Sequence, residues 1–134
     1  MIRSVLAILA GIAVLTITSF AIEAAADPLM LHLFPYALPD KAALQQNLYA
    51  NLFMYAYTAL CVAAGGYVTA WIARRNPVWH AVVMGVVEAG LTVWAMIAMA
   101  HLAPLRNWIT GMVTTVPAAA LGGYVCARQT RSRA

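Results

Sequence analysis

Charge is scarce in this chain. Only 9% of its 134 residues are Asp, Glu, Lys or Arg, where a soluble domain carries roughly 25%. A water-facing surface cannot be covered with so few. Acidic side chains are the rarest, limited to Glu23, Asp27, Asp40 and Glu88. Cysteine is limited to Cys61 and Cys126, in different apolar segments at different expected depths, which argues against a disulfide. Both read as small packing residues. Strict apolar/polar alternation is missing, and this argues against barrel strands. Also missing are HxxH, CxxC and HExxH spacings, a phosphate loop, a nucleophile elbow and paired catalytic carboxylates. Enzyme activity is not expected, nor is a cofactor or a metal site.

Long apolar runs are what the chain does have. Hydrophobic residues make up 64% of it. Four stretches are long enough to cross a bilayer, which takes about 20 helical residues. Helices are the expected form because they satisfy their own backbone hydrogen bonds, which lipid cannot do. The expected helices cover about 4–26, 41–74, 78–101 and 107–128, in one transmembrane domain over 1–134. Residues 1–26 resemble a signal peptide in outline, but the apolar run exceeds the usual ~7–15 residues. A retained helix is the expectation.

The few cations are unevenly placed. Arg3, Arg74, Arg75, Arg128, Arg131 and Arg133 fall at the two termini and the middle loop, and only Lys41 and Arg106 fall in the other two loops. This is the positive-inside pattern. It predicts an inner (plasma) membrane protein with both termini cytoplasmic. It also explains the net charge of +4 without nucleic acid as a partner. A basic tail suits anionic lipid headgroups. Tyr67, Trp71, Trp79 and Tyr124 are expected near the inner interface, and Tyr36, Tyr49, Phe53 and Trp108 near the outer one.

One run occurs twice. Gly65-Gly66-Tyr67-Val68 returns as Gly122-Gly123-Tyr124-Val125, an offset of 57 residues that also pairs Thr58 with Thr115. The first and third segments match at an offset of 76, through Leu15-Thr16 with Leu91-Thr92 and Pro28-Leu29 with Pro104-Leu105. The fold expected is an all-α membrane four-helix bundle built from two parallel-repeated helical hairpins. The 19 extra residues belong to the first outer loop. There, Asp27-Pro28 reads as a helix cap and first turn, opening a short apolar interfacial helix through Leu29, Met30, Leu31, Leu33 and Phe34. Asp40 is placed to cap the helix beginning at Lys41.

Small residues recur at four-residue spacing: Ala81, Gly85 and Ala89; Ala119, Gly123 and Ala127; Gly66 and Ala70; Ala7 and Gly11. Such stripes let helix backbones approach closely. Gly65, Gly66, Gly85, Gly122 and Gly123 are therefore the expected helix-packing positions, first within one bundle and second between chains.

Glu88 is the sharpest polar candidate. It falls midway along the third segment, where a carboxylate costs roughly 3 kcal/mol on insertion scales and should face protein or water. Thr16, Ala63 and Pro117 are level with it. Pro117 leaves the Val113 carbonyl free, so Val113, Thr114 and Thr115 are its expected partners. His80 reads as an interfacial histidine. Glu23, Asp27, His32 and His101 gather near the outer end without metal-ligand spacing.

The length, the four helices and the single membrane carboxylate resemble the plan of small multidrug-resistance transporters. That family carries its carboxylate in the first helix, lacks a strong charge bias and has no long outer loop. The chain is not assigned to it. The function these features favour is association: an accessory or structural subunit of a membrane complex, or a homo-oligomer. Its partners would be lipid and other membrane subunits or itself. The alternative is a small proton- or cation-coupled transporter or channel using Glu88.

Overall fold

The computed structural model describes residues 2–99 and 103–132. His101 lies outside them. Among the described residues the protein is all helical. Helix α1 covers Ile2–Leu33, α2 Lys41–Gln46, α3 Leu48–Ala73, α4 Pro77–Ala98 and α5 Leu105–Arg131. Four of these, α1, α3, α4 and α5, are long and apolar enough to cross a membrane, so the chain is described as a multi-pass membrane protein.

Two expectations about the helices near α2 need correction. Helix α1 does not stop at Asp27-Pro28; it continues through Pro28 to Leu33. Asp27 is unavailable as a cap because its carboxylate pairs with Lys41, 3.1 Å away. Met30 and Leu31 pack on a small cluster of Leu38, Leu44 and Ala50, which holds the last turns in place despite the proline. The second correction concerns 41–74, which is two helices rather than one. Asn47 takes an extended conformation and its side chain accepts from the Tyr49 and Ala50 N–H groups, capping α3. Asp40 caps α2 in the same way, accepting from Ala43 N–H at 2.7 Å.

Polar contacts fix the helix directions. Tyr55 on α3 meets Asn107 on α5 near the α2 end, and Tyr67 meets Gln129 near the other end. Helices α3 and α5 therefore run parallel. Ser4 on α1 meets His80 on α4, with Nε2 3.0 Å from Oγ, so His80 has a partner on a neighbouring helix. Among the described residues α3 packs against all the other helices, α5 packs on α3 and α4, and α1 and α5 do not touch.

The glycines decide how close the helices come. A Cβ on Gly65 would sit 2.7 Å from the Gly11 carbonyl oxygen, so α1 and α3 meet backbone to backbone. Gly66 faces the Ala119 carbonyl and Gly122 faces the Ala63 carbonyl, which joins α3 to α5. Gly85 lies against Ala119 and Gly123 against Ala81, which joins α5 to α4. These contacts gather the four long helices from mid-length toward the arginine end. Leu15, Cys61, Val62, Met84, Ala118 and Ala119 form the apolar core, and Leu15, Met84 and Ala119 also meet the glycines. The middle loop turns through positive φ at Arg74 and Asn76 before Pro77 opens α4.

Candidate functional site

Between the core and the α2 end the helices separate. A cavity of about 430 Å³ opens there between α1, α3, α4 and α5. Its floor is Leu15 and Val62, which also belong to the apolar core. Glu88 and Thr115 line its deep half, and Glu23, Gln45 and Asn107 line the end near α2. Phe20 and Trp108 supply aromatic wall.

Glu88 is half-buried on α4. Among the described residues no side chain or N–H donates to its carboxylate; Thr92 donates instead to its backbone carbonyl, at 3.0 Å. Of the residues level with it, Thr16 shares the cavity, Ala63 packs on Gly122, and Pro117 is exposed. Of the partners expected on α5, only Thr115 lines the same space. The Val113 side chain is exposed, and Thr114 donates to the Thr110 and Gly111 carbonyls. Ser19 sits in the same cavity with a buried hydroxyl that has no hydrogen-bond partner among the described residues. An unmet buried hydroxyl costs about 1–3 kcal/mol.

Sequence reasoning missed the hydrogen-bond network at the α2 end of the cavity. Asn107 is 8% exposed and Asn51 2% exposed. Tyr55 donates to Asn107 Oδ1 at 2.7 Å. Asn107 donates in turn to Asn51 Oδ1 at 3.2 Å and to the Gln45 carbonyl at 3.3 Å. Asn51 donates to the same carbonyl at 2.7 Å. Arg106 adds a bond to the Gln46 carbonyl. One side chain, Asn107, thus ties α5 to both α2 and α3. Asn107→Ala should lower stability by about 1–2 kcal/mol, because the Tyr55 hydroxyl loses its acceptor and Asn51 Oδ1 its donor. Thermal unfolding in detergent reads this out; an unchanged midpoint would show the network to be idle.

The acids near α2 form an ion cluster. Lys41 Nζ lies 3.1 Å from Asp27 and 3.4 Å from Glu23. The hydrogen bond to Asp27 holds the Lys41 ammonium above its usual range, against the opposing effect of burial. Among the described residues no three His, Cys, Asp or Glu side chains gather as a ligand set. The carboxylates of Glu23 and Asp27 are instead turned to a lysine.

No protein-family model matches the chain, and none of the curated proteins or solved structures compared with it is significantly similar.

Proposed function

We propose that this chain takes a proton or a small cation into the cavity at Glu88, as a carrier or binding protein of the membrane. The observation behind it is that one space holds the half-buried Glu88 carboxylate and the Ser19 hydroxyl, which is buried without a hydrogen-bond partner among the described residues. An ionisable group within a membrane segment marks an ion or proton path by default. Four threonines in the same lining, Thr16, Thr58, Thr92 and Thr115, offer hydroxyl oxygens to a cation. The glycine packing below the floor favours a carrier over an open pore, since a continuous path would have to separate α3 from α5. Proton uptake by proteoliposomes that is lost in Glu88→Gln tests the reading. Uptake that is the same in both would overturn it.

Association is the second reading, favoured by the exposed apolar side chains of Leu33, Phe34 and Tyr36 just before α2. The glycine faces that suggested it are occupied within the chain itself. A partner would therefore have to bind elsewhere.

The orientation belongs to the same proposal. The arginine distribution supports an inner-membrane protein with both termini cytoplasmic. Reporter fusions should then give a cytoplasmic signal at Ala134 and an external one at Pro39; a cytoplasmic signal at Pro39 would reverse the assignment. The repeat supports a relation between the pair α1 with α3 and the pair α4 with α5, each an antiparallel hairpin.

A further inference from the structure

A second recess lies at the opposite end of the bundle from the Glu88 cavity, and the proposed function makes no use of it. It holds about 560 Å³ between the last turns of α3 and α5 and the first turn of α4. Arg74 and Arg131 stand on either side of it, and Trp71 and Tyr67 form an aromatic wall. Tyr67 donates to Gln129 Oε1 at 2.8 Å, which leaves the Gln129 amide N–H groups free to donate. All four acidic side chains of the chain lie elsewhere, in α1, the α1–α2 connection and α4. Neither arginine has a carboxylate partner among the described residues; the ion pairs found there both involve Lys41. The recess is thus a cationic pocket with amphipathic aromatics, on the side of helices that are long enough to span a bilayer.

We infer that this recess is a binding site for the headgroup of an anionic phospholipid. The shared chemistry is a phosphate oxygen anion. Arginine recognises it through a planar fork of N–H donors, which pairs with two oxygens at once. A soluble phosphate would meet the same donors. The lipid is the better fit because the recess opens beside Trp71, which is 64% exposed where acyl chains would run. Tryptophan and tyrosine prefer this headgroup level, and basic pockets between spanning helices hold anionic headgroups. The Thr130 hydroxyl donates to the Cys126 carbonyl at 2.9 Å, which fixes that wall and leaves two cations and one amide to do the recognition.

The test reads Trp71 alone, in a chain with Trp79, Trp94 and Trp108 replaced by Phe. It is reconstituted in phosphatidylcholine vesicles containing a minor fraction of either brominated phosphatidylglycerol or brominated phosphatidylcholine. Trp71 should be quenched more strongly by the brominated phosphatidylglycerol at equal mole fraction. Arg74→Gln with Arg131→Gln should bring the two quenching levels together. Arg75→Gln with Arg128→Gln removes the same charge outside the recess and should leave the difference in place. Equal quenching by the two lipids in the parent chain would overturn the inference. So would an equal loss with either pair of substitutions, which would mean a diffuse charge effect and no site. Relief of the quenching by inorganic phosphate would assign the pocket to a soluble anion and overturn the lipid.

Discussion

Gly122→Ala is expected to cost about 3 kcal/mol, near the top of the usual range for overpacking. One added methyl at this position would run into the Ala63 carbonyl on α3. The obstacle is backbone, which cannot rotate away as a side chain would. Relief requires α3 and α5 to move apart along their shared face, and that disturbs Gly66 against Ala119 as well. Gly66→Ala should therefore behave the same way. Gly90 provides the contrast. A Cβ there meets nothing within 4 Å, so Gly90→Ala should be neutral or stabilise by roughly 0.5–1 kcal/mol through helix propensity. Thermal unfolding and size-exclusion profiles of the three variants in one detergent make the comparison. A Gly122→Ala chain as stable as the parent would remove the close packing of α3 on α5 from the account.

Glu88→Gln is expected to keep the fold and lose the function. The amide has nearly the carboxyl's shape and makes the same packing contacts on α4, and no described side chain depends on the carboxylate for a hydrogen bond. Stability should therefore change little. Proton uptake by proteoliposomes should fall to the level of protein-free vesicles, because an amide cannot titrate. Glu88→Asp should restore part of it, since the charge survives on a shorter arm. A small organic cation such as tetraethylammonium should slow uptake if the cavity takes cations, and leave it unchanged if only protons enter. Flux retained by Glu88→Gln would leave the cavity without Glu88 as a working group. Association would then become the better reading.

Much of this architecture is legible in the residues themselves. A 9% charge content and four apolar runs leave little besides a helical membrane protein. The repeated Gly-Gly-Tyr-Val points to positions where backbones touch, because small residues, glycine above all, admit such contact. Glu88 stands out as the one acid in the middle of an apolar run. The cavity around it is not legible in this way. Thr16, Ser19, Thr58, Thr92 and Thr115 are ordinary residues in four different segments, and only the rotation of each helix brings them to one space. Asn107 is harder still. It reads as the first residue of the fourth expected helix, yet it is buried and joined to Tyr55, Asn51 and Gln45. Local rules also mislead near Pro28. Asp-Pro is a good helix opening taken alone, but here the lysine that claims Asp27 comes from 14 residues further along, and packing of Met30 and Leu31 carries the helix onward. The Asn47 cap was readable in principle, as an asparagine ahead of an apolar run; the better-placed Asp40 hid it.

We propose that the cavity lined by Glu88, Ser19 and four threonines admits cations from the α2 end and is closed toward the arginine end. Thiol accessibility tests it most directly. Cys61→Ala and Cys126→Ala remove both native thiols, and Thr58→Cys places a single thiol in the cavity wall. Reconstituted vesicles are then exposed to membrane-impermeant methanethiosulfonate reagents, one cationic and one anionic, from each side in turn. The account predicts modification only from the side that carries α2, faster with the cationic reagent, with the preference reduced by Glu88→Gln. A folded variant that resists both reagents from both sides, or that reacts with them at equal rates, would contradict it.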